Sequence, residues 1–181
     1  MKIRVRLALF GLAAAVIAPV FALHTASAAD PLSSEQMSRI QANCLSIKGS
    51  LTQLHASDAL LRVNRGQIYE SIGTKLMDGF NSRLANNGLD NKGLVSIGGE
   101  YQKALTSFRT DYQAYERQLS VVLRIDCTKD ASGFHSALLD ARTKRTQVHT
   151  DVVKLNQYID DYKTGIDDFV LNFDRVTGKK S

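Results

Sequence analysis

The sequence predicts an all-α protein, an elongated antiparallel three-helix bundle or coiled coil held by one disulfide behind an N-terminal signal peptide. Three observations support this fold class. Apolar residues recur at steps of three and four along most of the chain, which is the spacing of amphipathic helices. No proline follows Pro31, so no proline interrupts a helix after that point. The only two cysteines, Cys44 and Cys127, lie far apart in the sequence.

Residues 1–28 have the pattern of a secretory signal peptide. The basic start MKIRVR precedes the uncharged stretch LALFGLAAAVIAPVFAL, and the small residues ASAA follow. This order is typical of a cleaved export signal, so we expect cleavage after Ala28 or Ala29 and a secreted, extracytoplasmic protein of the periplasm or cell surface. The alternative is an uncleaved membrane anchor, because a bilayer span needs about 17–25 apolar residues and this stretch is at the short limit.

The remaining chain suits one domain with little net charge. We expect a short linker at residues 29–33, a helical bundle at 34–177 and a frayed tail at 178–181. Of the 23 basic residues three lie in the predicted signal peptide, which contains none of the 18 acidic residues. The balance outside it is therefore close to neutral, which predicts no nucleic-acid partner. No second long apolar run follows the signal peptide, so we expect no stable membrane insertion after cleavage.

The first helix is predicted over about 34–85. Ser33 and Gln36 have the spacing of a capping box. A heptad seam follows the cap, a pattern in which core positions alternate by four and three. Its members are Ile40, Cys44, Ile47, Leu51, Leu54, Asp58, Leu61, Arg65, Ile68 and Ile72. In the loop NNGLDNKG, Gly88 suits a helix C-cap and Asp90 suits the next N-cap.

Two further helices are predicted over about 94–125 and 132–176. The seam of the second contains Leu94, Ile97, Tyr101, Leu105, Phe108, Tyr112, Tyr115, Leu119 and Val122. The seam of the third contains Phe134, Leu138, Ala141, Arg145, Val148, Val152, Leu155, Ile159, Tyr162, Ile166, Phe169, Phe173 and Val176. The short connections predict antiparallel neighbours. Seams of this length can also pair between chains, so the sequence allows a homo-oligomer.

Cys44 and Cys127 are predicted to form a disulfide. Outside the cytoplasm two cysteines tend to pair, and one pair without nearby histidines is too small for a zinc site. The alternatives are two buried free thiols or a bridge between two chains.

Charged residues interrupt the three seams at one matched height. If the disulfide sets the register, Asp58, Asp111 and Arg145 lie at about the same level, with Arg65 close by. Burying a charge is costly unless it is paired, and a polar layer can fix helix register. We therefore predict a buried polar layer of these four residues with an Asp58–Arg145 contact. The alternative is that they flank the core in solvent.

The sequence contains none of the catalytic motifs HExxH, GxSxG or GxxxxGK[ST]. We expect no catalytic, cofactor-binding or metal-binding residues, and hence no enzyme. The prediction is a non-catalytic module that binds a protein or a cell-envelope component, although the sequence defines no specific activity. One alternative is a coiled-coil protein anchored by its uncleaved N-terminal segment. Another is a ligand-binding protein or enzyme with a site near His55, Asp58, Asp111 and Arg145.

The first predicted helix also carries apolar residues outside its seam. Any of them that the other helices do not cover would form an exposed patch, which marks a surface for a partner. These residues are Leu45, Leu60, Val63, Tyr69, Leu76 and Phe80.

Overall fold

The structure, a computed structural model, describes residues 32–177. The predicted signal peptide, most of the predicted linker and the predicted tail at 178–181 lie outside these residues. Within them the chain forms a helical bundle without strands, which confirms the all-α class. The helices are α1 (Ser34–Ala42), α2 (Cys44–Ser71), a π-helical segment (Ile72–Met77), α3 (Asp78–Asn86), α4 (Lys92–Arg124) and α5 (Ala131–Thr177).

The capping box at the start of α1 forms as predicted. The Ser33 hydroxyl accepts the backbone N–H of Gln36 at 3.2 Å, and the Ser33 N–H donates to Oε1 of Gln36 at 2.8 Å. Asn43 then interrupts the helix, a break that the apolar spacing did not predict. Its side-chain amide donates to the carbonyl of Arg39 at 2.9 Å, so a local side-chain bond competes with the helical backbone pattern.

Two buried tyrosines flank the π-helical segment. The Tyr101 hydroxyl donates to the backbone carbonyl of Tyr69 at 2.9 Å, just before the segment. The Tyr162 hydroxyl shares its one proton between the carbonyl of Met77, the last residue of the segment, at 3.1 Å and Oδ1 of Asn81 at 2.9 Å. A π-helical turn holds an extra residue and disturbs the usual backbone bonds. Side chains from α4 and α5 therefore help to satisfy the carbonyls at both ends of this turn.

The connection between α3 and α4 has the predicted turn chemistry. Gly88 has a positive φ of 67°, and the N–H of Leu89 donates to the carbonyl of Leu84 at 3.0 Å, which closes the end of α3. The Asp90 carboxylate accepts the N–H of Lys92 at 3.2 Å. The residue directly before α4 is Asn91 rather than Asp90, and its side chain does not cap the helix.

The disulfide joins Cys44, the first residue of α2, to Cys127 in the connection between α4 and α5. The two Cα atoms are 5.5 Å apart, and both residues are buried. The predicted pairing is therefore confirmed, and neither cysteine is free.

The predicted seam of α4 and most of the predicted seam of α5 face the core, except for Phe173 and Val176 at the exposed end of α5. The seam of the first predicted helix leaves the core over residues 61–68 and returns to it at Ile72, in the π-helical segment. Leu61, Arg65 and Ile68 are exposed, and Tyr69 is buried in their place. A straight helix drifts about 20° per heptad relative to a strict seven-residue repeat, so after several heptads the predicted seam leaves the core. The largest core cluster contains Tyr69, Met77, Leu84, Leu94, Tyr101, Ala104, Leu105, Phe108, Leu155 and Tyr162.

The apolar residues that the first predicted helix carries outside its seam divide into a buried group and an exposed group. Tyr69 is buried, and the Phe80 ring packs edge-on against Phe169 with 6.4 Å between centroids. Four others remain exposed, and they are Leu45, Leu60, Val63 and Leu76. Because Leu60 and Val63 are three residues apart, they lie on one face of α2 and give it an apolar outer strip.

Candidate functional site

A groove of about 490 Å³ lies where α2, α4 and α5 meet. In it Leu61 and Arg65, two exposed residues of the predicted seam on α2, lie opposite residues of α5. Aromatic residues of α2 and α4 line it, and arginines stand beside them. The lining residues are Asp58, Leu61, Arg62, Arg65, Tyr69, Phe108, Tyr112, Tyr115, Arg145, Val148, His149, Val152 and Asn156.

Asp58 is the buried acidic group of this groove. It accepts a hydrogen bond from the Tyr115 hydroxyl at 2.7 Å, and bonds from Nε and Nη2 of Arg145 at 3.0 Å and 3.3 Å. Burial raises the pKa of Asp58, but these hydrogen bonds and the charge of Arg145 outweigh it and hold that pKa below its ordinary value. The carboxylate is thus ionised and fully engaged within the protein.

The structure brings two members of the predicted polar layer together and leaves two apart. Asp58 and Arg145 are in contact, as described above. Arg65 lines the same groove, but its side chain is exposed and makes no ion pair within the described residues. Tyr115, the second hydrogen-bond partner of Asp58, was not predicted from the sequence. The signal was available, because a tyrosine on a buried seam needs a hydrogen-bond partner for its hydroxyl.

Asp111 does not belong to the layer, which corrects the prediction. It lies beside Asp151 of α5 instead. The reason is its position around α4. Asp111 precedes Gln118 by two helical turns, and the Gln118 amide donates to the carbonyl of Ala137 on α5 at 3.1 Å. Residues seven apart share a helix face, so Asp111 also faces α5 rather than Asp58.

Asp151 and Asp111 form an acidic pair inside the α4–α5 interface. Asp151 is 5% exposed, and its Oδ1 accepts the Gln147 amide at 3.3 Å. Its buried Oδ2 has no donor among residues 32–177. Burial, followed by the neighbouring Asp111, raises the pKa of Asp151 from 3.8 to about 6. A proton on Asp151 would supply the missing hydrogen bond between the two carboxyl groups.

Replacing Asp151 with asparagine is expected to stabilise the protein at neutral pH. A group whose folded pKa is raised stabilises the fold below its unfolded pKa, and this contribution is lost as the pH rises through the folded value. The wild type should therefore lose stability between about pH 4 and about pH 6. The full shift corresponds to about 3 kcal/mol, which solvent screening reduces to about 1–2 kcal/mol. An asparagine amide carries no charge and can donate to Asp111 at every pH.

Urea unfolding of the wild type and Asp151→Asn across this pH range measures the difference. The control is Asp161→Asn, which changes an exposed aspartate of the same helix and should leave the pH profile unchanged. Parallel pH profiles for the wild type and Asp151→Asn would contradict the prediction.

His55 lies outside the groove. It lines a separate depression formed with α4, and its Nε2 atom is buried without a hydrogen-bond partner within the described residues. A protonated His55 would also favour the ionised form of Asp58, although less than the hydrogen bonds from Arg145 and Tyr115 do. The four residues of the alternative site prediction therefore lie in three places: Asp58 and Arg145 together, His55 apart, and Asp111 with Asp151.

Aromatic rings and a guanidinium group form the centre of the groove. The guanidinium carbon of Arg62 lies 5.1 Å from the centroid of the Tyr112 ring, which is cation–π geometry. Tyr112 itself packs edge-on against Tyr115, with 6.1 Å between centroids. The Tyr112 hydroxyl is buried and has no hydrogen-bond partner in the described part of the chain. Burial is the main reason why the pKa of Tyr112 rises to about 12.

Residues 32–177 contain neither a cluster of potential metal ligands nor a helix that could cross a membrane. No group of three or more histidine, cysteine or acidic side chains is placed to hold a metal ion. None of the helices in this region has the length and hydropathy that a membrane crossing requires.

Comparison with known proteins gives no relative for this chain: no family model matches it, and neither does any curated protein or solved structure.

Proposed function

We propose that the protein is an exported, non-catalytic three-helix bundle that binds a cell-envelope component or a partner protein in the groove between α2, α4 and α5. One observation carries the proposal. The groove has an aromatic floor, formed by Phe108 and Tyr112 of α4. Beside this floor stand Arg62 and Arg65, which make no ion pair within residues 32–177. Binding sites are concave and mostly apolar, with a few convergent polar groups, and this groove has that composition.

The proposed export has two sources of support. The N-terminal residues follow the order of a signal peptide. The buried Cys44–Cys127 disulfide is compatible with an oxidising compartment, because disulfides are rare in the cytosol.

The groove is a better binding site than the apolar outer strip of α2. Leu60 and Val63 of that strip are 64% and 50% exposed, but isolated surface leucines and valines are common in soluble proteins. Leu61 is 52% exposed and stands at the wall of the groove, where apolar and charged groups converge. Neighbouring residues on one helix therefore offer a matched comparison of the two surfaces.

Site-specific photo-crosslinking in the producing cells tests the proposal. A photoreactive amino acid is placed at residue 61 or, as the control, at residue 60. We expect a crosslinked adduct from residue 61 that is absent from residue 60, formed by the exported protein in the envelope fraction. Mass spectrometry then identifies the captured component. Adducts of equal yield from both residues, or none from residue 61, would contradict the proposed binding site.

A further inference from the structure

We propose that the groove binds a small anionic amphiphile, meaning one apolar chain or ring system that ends in a single carboxylate or phosphate group. This inference rests on the proposed function, because it names the ligand class of the same groove. In this arrangement the anionic end lies among Arg62, Arg65 and Arg145. The apolar part covers the aromatic floor.

The groove carries more positive charge than the protein neutralises. Asp58 is the one acidic residue that lines it, and Arg145 and Tyr115 already engage that carboxylate. Arg62 and Arg65 have no carboxylate partner among residues 32–177. Arg145 is 53% exposed, and a guanidinium with five N–H groups retains donors after its two bonds to Asp58. An incoming anion therefore meets three arginines and one carboxylate that is already engaged among the lining residues, while Glu116 acts on the Tyr112 hydroxyl from outside the groove.

The apolar part of the ligand has a surface to cover. Phe108 and Tyr112 of α4 line the floor, and Val148 and Val152 of α5 form one wall. The opposite wall includes Leu61, which is half-exposed. Covering apolar surface of this kind contributes about 25 cal/mol for each Å² removed from water. Neither an inorganic anion nor a purely apolar molecule would use both halves of the groove.

The Tyr112 hydroxyl is a second, independent observation that points to a ligand. Tyr112 is 4% exposed, it lines the groove, and its hydroxyl has no partner within the described residues. A buried hydroxyl without a partner costs about 1–3 kcal/mol. Because the hydroxyl itself is buried, a ligand oxygen accepts this hydrogen bond only if a covering side chain moves, and Arg62, which stacks on the same ring, is the residue that an incoming anion would displace.

The size of the groove favours a small molecule over a docked helix. Its volume of about 490 Å³ lies within the range of about 300–1,000 Å³ that is usual for small-ligand sites. Along α2 the lining residues run from Asp58 to Tyr69, which is about 16 Å of helix. A helix of that length and a diameter of about 10–12 Å occupies on the order of 1,300–1,900 Å³. Most of a docked helix would therefore remain outside the groove.

Isothermal titration calorimetry with four probes tests the inference. Decanoate and decyl phosphate are the expected ligands, and both are used below the concentration at which they form micelles. Decyltrimethylammonium has the same chain with the opposite charge, and inorganic phosphate has the charge without the chain. We expect saturable binding of the first two and at least about tenfold weaker binding of the other two. The affinity for decanoate should also fall as the salt concentration rises.

Matched variants locate the binding. Arg62→Gln and Arg65→Gln should each weaken decanoate binding by about tenfold, whereas Arg142→Gln, which changes an exposed arginine of α5 outside the groove, should not. Leu61→Gln should weaken it more than Leu60→Gln. Circular dichroism of each variant verifies that the helices remain folded.

Three results would overturn the inference. One is equal affinity for decanoate and decyltrimethylammonium. Another is an affinity that the groove variants leave unchanged. The third is binding to phosphatidylglycerol vesicles without binding to monomeric decanoate, which would assign the groove to a membrane surface. If residue 61 captures a component in cells while no anionic amphiphile binds, the proposed function stands and only the ligand class is wrong.

Discussion

Removing the disulfide is expected to lower the free energy of unfolding by about 4–5 kcal/mol. The bridge joins residues that are 83 positions apart, so it closes a long loop in the unfolded chain. Loop-closure entropy grows with the length of that loop, which gives the size of the effect. Single domains are stable by about 5–15 kcal/mol, so the loss would remove about a quarter or more of the total.

The residues that replace the two cysteines must remove the covalent bridge without adding an unfavourable change to the apolar surroundings. Cys44 and Cys127 are buried beside Val122 and Phe134, in an apolar cluster. Paired serines would place two hydroxyl groups there and add a desolvation cost. The paired alanines Cys44→Ala and Cys127→Ala are therefore the main variant. The serine pair should be less stable than the alanine pair.

Urea unfolding under oxidising conditions measures the loss. The midpoint should fall, and the dependence on urea should steepen if the unlinked chain exposes more surface when it unfolds. The melting temperature should fall by on the order of 10 °C. Wild type unfolded in the presence of a reductant is the control, and it should approach the stability of the alanine pair. A midpoint that neither change alters would show that the bridge contributes little.

Features that depend on a few neighbouring residues could be predicted from the sequence. The capping box needs only Ser33 and Gln36, and the end of α3 needs a residue such as Gly88 that accepts a positive φ. The core faces of α4 and α5 follow from apolar spacing. Each of these features is encoded within one or two turns of helix, where sequence distance and spatial distance agree.

Features that depend on partners from other helices could not be predicted. The π-helical turn is flanked by carbonyls that the hydroxyls of Tyr101 and Tyr162 contact, and both tyrosines are distant in sequence. The drift of α2 away from its predicted seam accumulates over many residues and depends on how far the helix supercoils. Leu61 and Arg65, two seam residues that are exposed, line the groove. The groove is a space between helices, and no residue pattern encodes its width.

The contact in the site was predictable only where the apolar spacing of the helices and the register set by the disulfide could be combined. The Asp58–Arg145 contact was predicted from interruptions of two seams at a height that the cysteine pair set. The same reasoning placed Asp111 about one turn from Tyr115, the α4 residue that contacts Asp58, and on the wrong side of α4, because height along a helix does not define the direction of a side chain. That direction depends on a residue's angle around the helix, and the positions next to Asp111 differ by about 100°.

Asp58→Ala is the second large effect, with an expected loss of about 2–3 kcal/mol at neutral pH. The substitution leaves the Tyr115 hydroxyl buried without its acceptor, and it leaves Arg145 without its carboxylate. The loss is smaller than for a fully buried ion pair, because Arg145 is half-exposed and water can replace part of the interaction.

The matched control is Asp140→Ala, which breaks the exposed ion pair between Asp140 and Lys144 on α5. Exposed pairs contribute about 0–1 kcal/mol, so this variant should unfold close to the wild type. Equal losses for Asp58→Ala and Asp140→Ala would contradict a buried, structural role for Asp58.

The pH dependence distinguishes a lost charge interaction from a packing defect at Asp58. A carboxyl group whose folded pKa is lowered stabilises the fold above its unfolded pKa, and this contribution is lost as the pH falls through the folded value. The stabilities of the wild type and Asp58→Ala should therefore converge in acid, as the ionic part of the difference disappears. A difference that stays constant with pH would instead assign the whole effect to packing.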